Sequence, residues 1–526
     1  MKRIVLSAAA ALVVGGCGRA PRVADLDARV REVPSGYVTG DVSGLERLAV
    51  LDNKDFAYAV AVSAGSDGVA FSRLLGKQFH LWLGSVVGRQ VQRLADVPIN
   101  DYVFDVEALA YSPDAAWVVT AGRDGVVRAF RGSDGGAGVQ YVAEEPLVSI
   151  AFATDRLLAV GSAGGLITLL SWPEMSFASE VRVHSDEVRG LVALPGGRLA
   201  SGAWDKTIVV SSVEPGRADP NEVRARFELT PAPSSLPVIR AALDGGAGPF
   251  TYDPALPYVI VSSEPARRAG IEPSVLAEAV EVKGQPARMA RGRTVRIKHL
   301  TVTGVDAAVC DVCLPKGVHG LLGAPVLGRF TVRADASRRE LALTRLQKED
   351  AASMPETSVL RELGRHAFPS YVNDLSVDRA GRRLGVAFSA EKAERNRRVY
   401  EREKQGKDAP FDARDMAAIV DVESGTIAAR WTRHLGPVVS AAIGPDGHAL
   451  ASGGWDKSLF LFRQHTSREI ARERFGWILR KVRFSPDGRL LAAAAWTPPN
   501  AVGNRESDPS AVLYEVLYAS ARIARQ

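Results

Sequence analysis

Ala200-Ser-Gly-Ala-Trp204-Asp205-Lys206 and Ala451-Ser-Gly-Gly-Trp455-Asp456-Lys457 are near-copies of one stretch, set far apart in a chain of 526 residues. Each follows a segment of alternating apolar residues and leads into another, Thr207–Val210 in the first copy and Ser458–Phe462 in the second. Alternation with period two marks a strand with one face buried, and the Asp-Lys step between segments marks a tight turn. Outward from the second copy lie His434, a Gly-Pro step, the alternating Val438–Ile443 and the turn Pro445-Asp446-Gly447. Four short strands recurring at roughly 40 residues are the mark of a β-propeller blade.

The same beat runs along most of the chain. It predicts a first blade over residues 57–94, a second over 106–143, a third over 148–183 and a fourth over 188–229, with Val223–Leu229 as the fourth blade's outer strand. It resumes over 371–431, 438–474 and 481–515. Asp-Gly, Pro-Asp and Gly-Gly steps between alternating runs supply the turns that hairpins require. The last blade lacks a fourth strand. The isolated strand Arg47–Leu51 can provide it, so that the two ends of the chain pair and leave no open edge. The fold class expected is therefore mainly β, a seven-bladed propeller.

These repeats resemble those of WD-repeat propellers. His184 and His434 stand where that family has the His of its Gly-His step, Ser201 and Ser452 match its strand Ser, and Asp124, Asp205 and Asp456 match its turn Asp. The resemblance implies a buried hydrogen-bond network that holds blade to blade, and it makes these residues scaffold. The family's strand Trp survives as Trp82 but is replaced by Phe130, Ser211 and Phe462, and the name-giving Trp-Asp pair is absent from those strand positions.

Between Thr230 and about Gln347 the beat stops, after a linker-like Pro231-Ala-Pro-Ser-Ser-Leu-Pro237. Gly248-Pro-Phe-Thr-Tyr-Asp253, Val259-Ile-Val-Ser262, Ala266-Arg-Arg-Ala-Gly270-Ile271, Gly320-Leu-Leu-Gly323 and Leu341-Ala-Leu343 resemble the retropepsin-like aspartic protease domain. That resemblance implies a small β-barrel and makes Asp253 the candidate catalytic residue. The family's active loop reads Asp-Thr/Ser-Gly, whereas this chain reads Asp253-Pro254-Ala255. Proteolysis of this kind needs two carboxylates sharing one proton. Pro254 offers neither hydroxyl nor N–H to lock two such loops together. One loop supplies one Asp, so activity also requires a homodimer. Arg291 and Arg293 fall where the family's flap would be and are candidates to grip an acidic peptide.

The N-terminus reads as an export signal. Lys2-Arg3 precedes the apolar run Ile4–Val14 and the ending Val14-Gly15-Gly16-Cys17, a basic step and an apolar stretch too short to span a bilayer. The ending resembles the bacterial lipobox, which implies lipidation at Cys17 and a protein anchored to the bacterial envelope by acyl chains alone. Cys310 and Cys313 lie in Val309–Leu314, which reads as a strand. Residues three apart on a strand point to opposite faces, so the pair is expected as two buried hydrophobes rather than a disulfide. The formal net charge of +6 is too mild to argue for nucleic acid. No phosphate loop, nucleophile–His–acid set or metal cluster is legible, so no cofactor and no metal are expected.

The expected organisation is a lipoprotein signal peptide over 1–16, a tether over 17–43, closing strand and blades one to four over 44–230, and a retropepsin-like insertion over 231–346. A linker over 347–369 and blades five to seven over 370–518 complete it. If the insertion follows the fourth strand of blade four, it opens on the same face as two elements that follow second strands. These are a charged helix over Glu391–Asp415 and the segment Thr497–Ser510. Trp204 and Trp455 end second strands and would reach that face. Function is then expected as recognition of a protein or peptide by this face, the alternative being an aspartic endopeptidase acting through Asp253.

Overall fold

The structure, a computed structural model, describes residues 36–525 apart from 53–55, 66, 77, 102–104, 217–220, 231–235, 299, 336–339, 348–356, 391, 393–411, 465, 467–468, 477, 497–509 and 520–521. The expected anchor site Cys17, the signal and most of the tether lie outside the described residues. So do nearly all of the expected charged helix and the segment before Ser510.

Among the described residues, seven four-stranded antiparallel sheets make a ring. Their innermost strands are Phe56–Val62, Val106–Tyr111, Leu147–Thr154, Val188–Leu194, Tyr371–Val377, Val438–Ile443 and Ile478–Phe484. Each packs on the next, and Ile478–Phe484 packs back on Phe56–Val62. The sheets press together where side chains vanish. A Cβ on Gly202 would lie 2.6 Å from Val372, and one on Gly453 would lie 2.8 Å from Leu479. Both are sub-van der Waals, so only glycine fits where the fourth and sixth sheets meet their successors. The ring closes as the alternation requires. Val42–Asp52 pairs with Ala511–Tyr518 as the outer strand of the last sheet, and Gly36–Thr39 pairs with Arg522–Arg525 beyond it. The expected tether therefore ends earlier than residue 43.

The insertion leaves the ring elsewhere than the sequence suggested. The outer strand of the fourth sheet is Thr357–Ala367, paired with Thr207–Gly216 from Thr207↔Ala367 to Gly216↔Thr357. The second half of the expected linker is thus blade. Glu222–Arg226 pairs instead with Glu340–Arg345 inside the insertion, where Val223 and Ala225 enter its core. The insertion consequently interrupts a sheet between its third and fourth strands. Strand direction reverses at every turn, so its stem emerges at the end of the ring opposite to the turns that follow second strands. The expected gathering of every distinctive element on one face is therefore not what the chain builds.

Six strands of the insertion close into a barrel in the order Pro237–Leu243, Gly246–Tyr252, Gly320–Leu322, Val259–Val261, Leu300–Val309 and Gln285–Ile297. The last returns to the first through Ala242↔Arg296 and Leu243↔Val295. Phe250, Val259, Val261, Leu322 and Val326 belong to one core. Strand Leu300–Val309 ends before Cys310, so the two-face argument for the cysteines fails. The chain turns there, the Cα atoms of Cys310 and Cys313 come within 5.5 Å, and the pair is a disulfide.

The barrel lies along the ring's outer rim. Lys298 Nζ is 3.1 Å from Glu144 and 3.0 Å from Glu180, bridging the end of the second sheet and the outer strand of the third. Gln140 Nε2 donates to Gly245 O at 3.0 Å. Burial pulls the Lys298 ammonium down, but Glu180 and Glu144 overcome it and leave its pKa raised, so the bridge stays charged.

Candidate functional site

The two near-copies hold their hydrogen-bond networks as the repeat pattern requires. His184 Nε2 is 2.8 Å from Ser201 Oγ and Nδ1 is 3.0 Å from Asp205 Oδ2. His434 repeats this with Ser452 at 2.8 Å and Asp456 at 2.9 Å. Each Asp also accepts from the backbone, at Ser185 N and at Leu435 N. Burial would raise the Asp205 carboxyl, but His184 and Thr207 hold it at about 2. Nothing in this set points at a substrate. His434→Ala is expected to lower unfolding free energy by about 1–3 kcal/mol, because it strands two buried partners. Urea titration of the variant checks this.

Trp204 and Trp455 are buried, with 4% and 7% of their surface exposed, so neither is the surface contact expected of it. The Trp204 indole N–H donates to Asn373 Oδ1 at 2.8 Å, and the Asn373 amide donates to Ser389 and to Val438 O. Trp204 thereby ties the fourth sheet to the fifth and sixth. Arg189 and Lys392 stand over its ring at 5.1 and 5.5 Å.

What the sequence did not single out is the cluster beside that tryptophan. Glu107, on the innermost strand of the second sheet, is buried and surrounded by arginines. Arg123 Nε donates to its Oε1 at 3.0 Å. Arg480, from the seventh sheet, and Arg189, from the fourth, approach its Oε2 at 3.1 and 3.5 Å. Residues from three sheets thus converge on one carboxylate and span the ring's central opening. Burial would raise the Glu107 carboxyl, yet Arg189, Arg480 and Arg123 hold it well below the usual carboxylate range. Further along the opening, Asp374 takes Arg483 through both oxygens, each at 2.7 Å, and Lys481 at 2.9 Å. Each residue alone reads as an ordinary strand charge, and only closure of the ring brings them together.

In the barrel, Asp253 follows Gly246–Tyr252 and its N–H donates to Leu322 O at 3.0 Å. Its Oδ1 accepts from Ala255 N at 3.1 Å, and Lys283 Nζ is 3.7 Å from Oδ2. Lys283 is at the tip of the hairpin Ala279–Val282/Gln285–Ile297. Among the described residues, the charged partner the structure places at Asp253 is this ammonium. Asp244 turns away, accepting from Thr294 N at 2.8 Å and facing Arg293 at 3.3 Å. Arg291 pairs with Glu278 and Asp306. Both candidate arginines are thus engaged within the barrel.

The profile described as WD domain, G-beta repeat matches residues 100–131 and 425–463. The first segment covers the three inner strands of the second sheet. The second begins on the outer strand of the fifth sheet and runs through the three inner strands of the sixth. The ring thus carries WD repeats in a β-propeller, and the sequence repeat is offset by one strand from the sheet, as closure by Val42–Asp52 demands. No curated protein matches the chain. Among solved structures, the crystal structure of RRP9 WD40 repeats is 9% identical, covering 91% of this chain and 100% of that one with a TM-score of 0.49. The structure of U3-55K is 9% identical with the same coverages and a TM-score of 0.48.

Proposed function

We propose that this protein is a scaffold that binds a protein partner, built on a seven-bladed propeller and carried on the bacterial envelope by a lipid at Cys17. The observation that carries the partner-binding reading is the WD-repeat ring itself, a rigid platform whose turns at one end gather around the arginine cluster. The barrel is read as a retropepsin-like domain that no longer cleaves. In favour of the retropepsin-like reading, Phe250-Thr251-Tyr252 runs parallel to Gly320-Leu321-Leu322, with Ile260 and Val261 antiparallel to that segment on its other side.

Lys283 on Asp253 and Pro254 in the active loop argue against proteolysis, and the barrel's role in this reading is added recognition surface beside the ring. Photo-reactive residues placed at Lys206 and Lys457, in turns at the cluster's end, are expected to crosslink a partner in envelope extracts. The same residues at Asp114 and Asp446, in turns at the other end, are expected not to. Equal labelling from both ends, or none, would sink the reading. Peptide cleavage is expected from neither the wild type nor Asp253→Asn, and Cys17→Ala is expected to lose fatty-acid label and leave the membrane fraction.

A further inference from the structure

The two near-copies share one backbone arrangement. Ser185 N and Leu435 N each donate to the turn Asp, at 3.1 Å in both. Trp204 N donates to Glu187 O at 3.0 Å, and Trp455 N to Pro437 O at 3.1 Å. Phe368 N and Phe475 N donate to Lys206 O and Lys457 O, both at 2.8 Å. These bonds match the copies residue by residue, so a side chain that differs between them is not dictated by the framework.

What differs is charge. Asp186 and Glu187 in the first copy give way to Gly436 and Pro437 in the second, which removes two carboxylates. Val183, before His184, gives way to Arg433, and Ala367, before Phe368, to Arg474, which adds two guanidiniums. At these matched positions the second copy is therefore more positive by two lost acids and two gained bases. In the first copy Lys392 pairs with Asp186, Arg189 with Glu187 and Arg365 with Glu362. Arg433, Lys457 and Arg474 have no carboxylate partner among the described residues. The acids beside them are committed elsewhere, Asp456 to His434 and Glu473 to Arg47.

The three cations are also neighbours. Arg474 opposes Ser458 across the outer pair of strands, and the Leu435 bond to Asp456 holds the turn that carries Arg433 against the turn that carries Lys457. Arg433 and Arg474 are exposed, and Leu435, matching Ser185, is 49% exposed in the same place. Like charges crowded together repel and gain from an anionic partner. Three cations are too few for a nucleic-acid duplex. The N-terminal ribbon meets the ring at its opposite end, where Val38 N donates to Asp487 O, so the patch lies away from the N-terminus.

We propose that Arg433, Lys457 and Arg474 form the docking surface for an acidic segment of a polypeptide, with Leu435 receiving an apolar side chain of that segment. This rests on the partner-binding reading and names the chemistry the partner brings.

The test is fluorescence anisotropy of the full-length protein in neutral detergent with a labelled, blocked Asp-Glu-Leu-Glu-Asp peptide and with its Asn-Gln-Leu-Gln-Asn counterpart. The acidic peptide is expected to bind, the amide peptide at least about tenfold more weakly, and added salt to weaken the acidic peptide several-fold. Arg433→Val with Arg474→Ala installs side chains that the fourth sheet already carries at those places, so this double variant is expected to fold. It is expected to lose about five- to tenfold in affinity. Arg156→Ala with Arg333→Ala removes the same charge from the other end of the ring and from the barrel, and is expected to bind like wild type. Equal binding of the two peptides, a first double variant that binds like wild type, or a second that loses as much would each overturn the proposal. So would tighter binding to a short DNA duplex or to phosphatidylglycerol micelles. Crosslinking that succeeds from Lys206 while the peptide fails sinks this inference alone, whereas labelling from neither end sinks the reading beneath it as well.

Discussion

Asp374→Ala is expected to lower the unfolding free energy by about 3–5 kcal/mol, the range seen when one partner of a buried ion pair is removed. Asp374 has no exposed side-chain surface and takes Arg483 through both oxygens and Lys481 through one, with Ser440 Oγ donating as well. Truncation leaves two cations in a confined space with their carboxylate gone. Arg483→Met alone is expected to cost less, because Lys481 still pairs with the acid. The double replacement of Asp374 and Arg483 by apolar residues is expected to recover part of the loss, as buried pairs replaced together often do. Equilibrium denaturation of the three variants decides the matter. An Asp374→Ala chain as stable as wild type would mean the network carries no strain when broken.

The same group gives a pH dependence. Burial would raise the Asp374 carboxyl, but Arg483 and Lys481 outweigh it and hold it well below the ordinary range. Its unfolded pKa is near 4. A depressed folded value means that its contribution is complete above the unfolded pKa and is lost as pH falls below it. Asp205, held at about 2, acts in the same direction. Wild-type stability is therefore expected to decline below about pH 5, and less steeply in Asp374→Ala.

How far the sequence could be read follows from which contacts are local. Hairpins are local, so period-two alternation and turn residues located the ring strands, and the pairing of Arg47–Leu51 with Ala511–Glu515 followed from the count of strands. The outer strand of the fourth sheet was not local. Val223–Leu229 alternates cleanly because Val223 and Ala225 face the barrel core. Thr357–Ala367 is an outer strand with Leu363 55% exposed, so it carries little alternation to recognise. Cleaner periodicity thus marked the wrong segment. Trp204 and Trp455 looked like surface residues because they sit beside turns, but an indole is large enough to fold back under the next sheet. The arginine cluster was invisible for a stronger reason. Glu107, Arg189 and Arg480 are separated by most of the ring, and no pattern in one blade announces what faces it across an opening.

Removal of residues 36–52 is expected to be the most damaging change to the ring. Val42–Asp52 is the only strand of the last sheet contributed by the N-terminal end of the chain, and it covers the edge of Ala511–Tyr518 through pairs from Val42↔Tyr518 to Asp52↔Ala511. Val42 belongs to one core with Leu461, Leu479 and Tyr514, against which Leu45 packs. Leu48 and Leu51 pack against another that holds Ala57, Phe71 and Leu513. At about 1.5–3 kcal/mol for a fully buried aliphatic side chain and less for partly buried ones, these four alone account for roughly 5 kcal/mol. Loss of the strand also exposes a row of backbone donors and acceptors on Ala511–Tyr518, an edge ready to pair with another chain. The truncated protein is expected to melt at least about 10 °C lower and to associate with rising concentration. A synthetic peptide of residues 36–52 added in trans is expected to restore the melting temperature and the monomer. If truncation leaves melting unchanged, the ring is not held shut by its N-terminal strand; if the peptide fails to rescue a destabilised truncation, the loss came from something other than that strand's pairing.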